Sequence, residues 1–448
     1  MKRLILQSLN DWSRAPLRKP LILRGARQVG KTHVVRRLGE DFSHFVEINF
    51  ERTPELSGFF QKDLDPVRII EALSLSIGKP IRPSETLLFF DEIQVCPKAI
   101  IALRYFYEEM PELHVIAAGS LLDFAIEEVG VPVGRVSFLY MYPMSFIEFL
   151  LATEHALIAN EIIHHKPDEA LAPIIHDKIL NLLGEYMLTG GMPEVISHWI
   201  KQRDLYACQQ IQRDIINSYR EDFGKYCTQF QIKYVELIFD RVPSLICQPF
   251  KFSHLASAYQ KRELSPSLDL LIKANVIHKI SRSSAQGIPL GAHIDFNQFK
   301  LFFVDIALCQ NILGFSAKEW ILDPIAHFIN KGALCEALVG QEILAYADPH
   351  IKKDLYYWHR DAHGSQAEID YVIANQGTLI PIEVKSGKGS TLKSMHAFLE
   401  QHPALLGVRF SIQNYSIFNR IASYPLYAVG ALLTDRIETL DAFIQENK

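Results

Sequence analysis

Short apolar runs alternate with amphipathic stretches through the first third of the chain. Residues 21–24, 86–90 and 113–118 are runs of the kind buried on both faces in a parallel sheet, and helical periodicity fills the intervals until about residue 150. This rhythm predicts a wound α/β domain over residues 1–150. Beyond it the pattern changes. Residues 152–177 are polar and histidine-bearing, helical periodicity resumes over 178–188, and Thr189-Gly190-Gly191-Met192-Pro193-Glu194 breaks it before another helical stretch over 195–226. Gly190 and Gly191 read as a tight turn, since Pro193 follows closely and no strand precedes them.

Between residues 251 and 305, short helices at 252–259 and 265–274 are followed by strands at 276–280 and 300–304 around a polar loop. That is a winged-helix outline. The second helix carries a single basic residue, Lys273, which favours a scaffold over a DNA reader. In the last third, 367–373 and 378–385 read as two strands joined by a turn at 375–377, with a helix upstream at 334–346. Four units follow from the pattern: 1–150, 151–250, 251–325 and 326–448.

The end of the first strand carries the strongest chemical signal. Gly25-Ala26-Arg27-Gln28-Val29-Gly30-Lys31-Thr32 leads from a strand into a helix, which is the Walker A pattern. Its glycines let consecutive N–H groups turn inward onto phosphate, and the following helix adds its positive end. Lys31 is placed to reach the β- and γ-phosphates of ATP, and Thr32 to ligate Mg2+. Asp91 and Glu92 end the second apolar strand, so Asp91 is the expected partner of the magnesium ion and Glu92 the residue that polarises the attacking water. Ser120, at the tip of the third strand, is a candidate γ-phosphate sensor. Arg135 is a candidate for stabilising transition-state charge, in cis or from a neighbouring subunit, with Arg27 and Arg104 as lesser candidates.

Composition narrows the setting. The 448 residues are 48% hydrophobic, ample for several cores, yet no uninterrupted apolar run is long enough to span a bilayer and the N-terminus lacks a cleavable signal pattern. A cytoplasmic protein without a membrane partner is expected. The six cysteines are scattered with no Cys-x-x-Cys pair, so they read as reduced, mostly buried thiols. His164-His165 lacks further ligands and reads as solvated. A net charge of −5 does not advertise a nucleic-acid partner, although a local groove can be basic on an acidic protein.

A second constellation lies in the predicted hairpin. Side chains alternate along a strand, so Glu383 and Lys385 project together, and Asp370 on the partner strand can join them. Glu336, on the helix upstream, is a candidate third carboxylate. Acids beside a lysine suit a site in which Mg2+ is held and the lysine orients a water. The order helix acid, strand acid, Glu-x-Lys is that of the PD-(D/E)xK nuclease core, except that Glu368-Ile369 stands before Asp370 in place of proline.

With these motifs the chain resembles prokaryotic AAA-type ATPases that carry a C-terminal restriction-endonuclease-like domain of unassigned function. The stretches that carry the likeness are GARQVGKT, LLFFDEIQ, the Gly119-Ser120 and Gly134-Arg135 pairs, YPMSFIEFL, LTGGMPEV, KLFFVDIAL, EIDYV and PIEVKSG, in order along nearly the whole length. The resemblance implies an ATP-binding domain, a helical and winged-helix middle and a nuclease-like end. ATP hydrolysis with Mg2+ that rearranges the domains, acting on nucleic acid, is the expected activity. An ATP-gated DNA nuclease using the C-terminal metal site, or a nucleotide switch or interaction protein whose nuclease-like domain is inactive and only binds a partner, are the alternatives; a homo-oligomer or a protein partner is among the expected partners.

Overall fold

The computed structural model describes residues 1–119, 122–130, 134–256, 259–315, 331–362, 365–375, 377–387, 392–402, 405–433 and 444. Ser120 lies outside the described residues. The first sheet contains β1 (Leu21–Arg24), β2 (His44–Asn49), β3 (Thr86–Asp91), β4 (His114–Ala118) and β5 (Ser137–Tyr140) in the order β2-β3-β4-β1-β5. Every neighbouring pair is parallel, so all five C-terminal ends lie along one edge.

The strands read as unbroken apolar runs because both faces are covered. Leu21, Leu23, Phe89 and Ile116 enter one core, while Ile22, Leu88, Phe90 and Val115 enter the other. Helices Pro66–Ile77 and Pro97–Glu109 cover the second face through Ile69, Leu73, Ile100 and Leu103. The first face packs on helices Ile5–Arg14 and Lys31–Gly39, and its core continues into the middle helices and the second sheet.

The stretch expected as one helix over 195–226 is two, Pro193–Gln202 and Leu205–Tyr226. Arg203 takes a left-handed φ of 51°, and the Asp204 carboxylate then caps the second helix by accepting from the Tyr206 and Ala207 N–H groups. His165 is not simply solvated. Its ring packs 4.4 Å from that of Tyr415 and its Nδ1 lies 2.9 Å from Glu161, while His164 is exposed.

The second sheet has eight strands: β6 (Ile277–Ser283), β7 (Ile294–Phe303), β8 (Leu355–Ala362), β9 (Ser365–Asn375), β10 (Thr378–Lys385), β11 (Gly407–Ser411), β12 (Ser416–Phe418) and β13 (Ile421–Pro425). Their order is β12-β13-β11-β10-β9-β8-β6-β7. The two strands expected in a winged-helix unit are thus one edge of the sheet that holds the expected hairpin. After pairing with β7, β6 still offers an edge of unpaired backbone groups, and β8 takes it in parallel from Ile280↔Leu355 to Arg282↔Tyr357. A boundary between 325 and 326 falls along the chain between β7 and β8 and would cut this one sheet. Of the two helices expected before these strands, the first is only the short turn Phe252–His254 and the second is Lys261–Lys273.

All six cysteines are free thiols, and five are buried. Among the described residues no helix is long and apolar enough to cross a membrane.

Candidate functional site

The chain leaves β1 into a tight loop at the C-terminal edge of the first sheet. Gly25 sits at φ +146° with its missing Cβ position 2.2 Å from the Met141 carbonyl oxygen, so any side chain there would collide with backbone. Gly30, at φ +99°, occupies the position before helix Lys31–Gly39, a conformation L side chains avoid. The buried Lys31 ammonium donates to the Gly25 and Ala26 carbonyls, both at 2.8 Å. The Thr32 hydroxyl donates to Asp91 Oδ2 at 3.1 Å, and the Asn49 amide at the end of β2 reaches the same oxygen at 3.2 Å. Burial, and then the adjacent Glu92 charge, push the Asp91 carboxyl above the usual carboxylate range.

Glu92 follows in a left-handed conformation, φ 52°, and the Gln94 amide donates to its Oε2 at 2.6 Å. Gln94 also rests against the backbone of Gly119, where a Cβ would lie 1.9 Å from its Oε1. These groups face a cavity of about 450 Å3 lined by the loop, Asp91 and Glu92, with Pro193 and Glu194 contributed by the middle region. A hydroxyl and a carboxylate converging at 3.1 Å are hard oxygen donors, a set that suits Mg2+.

Two clamps hold the loop from outside. Helix Leu205–Tyr226 pairs Asp222 with Arg27 at 2.7 Å, sets the Tyr219 hydroxyl on the Arg27 carbonyl at 2.8 Å and meets the Gln28 amide through Ser218 at 3.0 Å. From the other side, buried Arg3 donates to the Val29 carbonyl at 2.7 Å and the Tyr142 carbonyl at 2.7 Å, and pairs with Glu148 at 2.9 Å. The Gly190-Gly191 turn is part of this surround. The Gly191 N–H donates to buried Asp305 at 2.6 Å, and its carbonyl accepts from Met144 N at 2.7 Å. Asp305 follows β7 and also caps helix Ile306–Ile312.

Not every expected residue is brought here. Arg135 precedes β5 at the opposite edge of the parallel sheet, where it pairs with Glu108 at 2.7 Å, so it does not reach its own chain's cavity. Arg104 pairs with the same Glu108 at 3.1 Å. Arg27 does line the cavity, while bonded to Asp222. Asn49, Gln94, Pro193, Asp222 and Arg3 were missed by sequence reasoning. Gln94 and Pro193 lay within stretches already singled out, LLFFDEIQ and LTGGMPEV, and the rest arrive from elements whose proximity no local pattern encodes.

The C-terminal carboxylates also meet. The pairing Ile382↔Tyr371, carried on by one residue, sets Glu383 opposite Asp370. Asp370 Oδ2 accepts from the Val384 N–H at 2.7 Å, and Glu383 pairs with Lys385 at 2.6 Å. Glu336 joins through an unanticipated residue, Lys300 of β7. Its fully buried ammonium lies 2.8 Å from Glu336, 2.6 Å from Glu368 and 3.9 Å from Asp370. Among the described residues no group of three or more His, Cys, Asp or Glu side chains is placed to hold a metal ion. The donor set expected for a nuclease metal therefore does not fit one as it stands, because Glu336 Oε1 already binds the Lys300 ammonium, which also lies 3.9 Å from Asp370.

A parallel sheet ordered β2-β3-β4-β1-β5, with a glycine loop at the end of β1 facing an Asp-Glu pair at the end of β3, defines the first domain as a P-loop NTPase fold. Residues 17–150 match the model of a family described as an AAA domain. Residues 180–319 and 331–428 match two models, each described as a domain of unknown function (DUF8612 and DUF4143). No curated protein matches the chain. Among solved structures, the Walker-type ATPase PABY2304 of Pyrococcus abyssi is similar at 14% identity over 69% of this chain and 94% of that one, with a TM-score of 0.42. AMPPCP-bound DnaA from Aquifex aeolicus is similar at 11% identity over 60% and 85%, with a TM-score of 0.26. Likenesses so distant add nothing to the class, which stands on the site's geometry and the AAA-domain match.

Proposed function

We propose that this chain binds ATP in the cavity at the end of β1 and hydrolyses it. The observation that carries the reading is the convergence of Lys31, Thr32, Asp91 and Glu92 on one cavity. The loop amides and the Lys31 ammonium hold the phosphates, exchanging the ammonium's present bonds to the Gly25 and Ala26 carbonyls for phosphate oxygens. Thr32 and Asp91 would hold Mg2+, which neutralises charge developing on the phosphates. Glu92, positioned by Gln94, takes a proton from the water that attacks the γ-phosphorus, as the bond to the ADP oxygen breaks.

Hydrolysis would also move the rest of the chain. Pro193 and Glu194 line the cavity, and the turn before them is fastened to Asp305 at the end of β7, so a change in the cavity's contents pulls on the C-terminal sheet. Nucleic acid is the partner implied by the resemblance, and DNA-stimulated turnover at low salt is its test. DNA cleavage finds no support at the C-terminal acids, since the Lys300 ammonium binds Glu336 and approaches Asp370.

Steady-state ATP turnover with Mg2+ tests the central reading. Lys31→Ala should weaken nucleotide binding and abolish turnover. Glu92→Gln should keep binding but lose about 100-fold or more in kcat. Unchanged turnover in both variants would sink the proposal.

A further inference from the structure

The acids of the C-terminal cluster come from far apart, Glu336 on helix Gly332–Ala345 and Glu368 and Asp370 on β9. What they enclose is the side chain of Lys300, which has no exposure to solvent and passes its Nζ 5.2 Å from the centre of the Tyr357 ring. Taking an ammonium out of water opposes its charge, but Glu336, Asp370 and Glu368 outweigh that cost and hold Lys300 above the ordinary lysine value. Burial and then the neighbouring Asp370 push the Glu336 carboxyl up, while Lys300 pulls it back down.

A magnesium ion needs carboxylate oxygens at about 2.0–2.1 Å and keeps several waters. Here Glu336 Oε1 and Glu368 Oε1 are 2.8 and 2.6 Å from an ammonium, and one Asp370 oxygen is taken by the Val384 N–H. A divalent ion on the same oxygens would sit within a few ångströms of a positive charge that has no path to water. The remaining acid, Glu383, is nearly fully buried and is paired with Lys385. Lys385 is the lysine of the Glu-x-Lys pattern itself, whereas Lys300 is an additional cation set against Glu336, Glu368 and Asp370.

We infer that the Lys300 ammonium stands in for a metal ion in the Glu336, Glu368 and Asp370 cluster, closing the C-terminal domain to divalent cations and to metal-dependent cleavage of phosphodiesters. The cluster becomes an internal strut that ties β7 to β9 and to helix Gly332–Ala345. This inference is independent of ATP hydrolysis at the other end of the chain.

Mn2+ titration of the nucleotide-free full chain, with bound ion counted by electron paramagnetic resonance, tests it. Wild type and Asp370→Asn should bind the same amount of Mn2+. Lys300→Ala should bind one more ion per chain, lost again in Lys300→Ala/Asp370→Asn, and Mn2+ should raise the melting temperature of Lys300→Ala more than that of wild type. A wild-type Mn2+ site that disappears in Asp370→Asn overturns the inference, as does a folded Lys300→Ala that gains none. If Lys300→Ala does not fold, wild type against Asp370→Asn decides alone, equal binding supporting the inference and lost binding overturning it. Nicking of supercoiled DNA by wild type with Mg2+, abolished by Glu383→Ala, would also overturn it.

Discussion

Glu92 shows how much of this site depends on single side chains. Its left-handed backbone is a conformation that costs a non-glycine residue about 1–2 kcal/mol, and it is retained where the carboxylate must face the cavity. Backbone alone does not aim the carboxylate, which has free torsions beyond Cα, and the 2.6 Å bond from Gln94 supplies the aim. Gln94→Leu is therefore expected to lower kcat about tenfold or more with ATP affinity unchanged. Equal losses in affinity and kcat, measured by nucleotide titration beside turnover, would instead mark Gln94 as structural. The Walker residues were legible because they are contiguous, so covalent spacing alone sets their geometry. Lys300 was not, because its chemistry exists only beside Glu336, Glu368 and Asp370, which lie 36 or more residues away.

Among elements, the junction between the Gly190-Gly191 turn and the start of helix Ile306–Ile312 has the most consequence. One buried carboxylate, Asp305, accepts from Gly191, Ala307 and Leu308 N–H groups at 2.6, 3.0 and 3.0 Å. Asp305→Ala removes a helix cap and leaves the Gly191 donor unpaired, which should cost about 2–4 kcal/mol in urea unfolding. Because the turn sets Pro193 and Glu194 on the cavity, the KM for ATP should also rise. A full loss of stability with an unchanged KM would disconnect the junction from the site. The turn was read correctly as a turn, but its place beside the cavity was not legible, since the contact with Asp305 spans 114 residues. Arg135 is kept from its own chain's cavity for the converse reason. It lies near the motifs in sequence, yet a parallel strand separates it from the ligand edge.

At the level of the whole molecule, the two sheets are joined through buried polar contacts as well as a shared apolar core. Glu342, fully enclosed on helix Gly332–Ala345, accepts from the Phe146 N–H at 3.1 Å and the Tyr186 hydroxyl at 3.0 Å. Burial pushes its carboxyl up to about 7 from an ordinary 4.5, against the pull of those donors. The folded chain therefore keeps a proton between about pH 4.5 and 7 that the unfolded chain releases, and stability falls as pH rises through that window. Glu342→Gln should remove this slope, changing the stability difference from wild type by up to about 3 kcal/mol between pH 5 and pH 8. A difference that stays constant with pH would refute the assignment.

The strand runs, the phosphate loop, the acids at the strand end and the C-terminal hairpin were determined by the chain's own local pattern, because each rests on short-range geometry: a period of two, a glycine at positive φ, a helix start. Tertiary structure alone decided that β6 and β7 extend the second sheet, that Arg135 faces away from the phosphate loop, and that a lysine fills the carboxylate cluster. Those outcomes depend on which distant edges and charges meet. Strand edges are chemically alike, and a buried charge takes whichever partner packing brings within reach, so neither choice is written in any one stretch of residues.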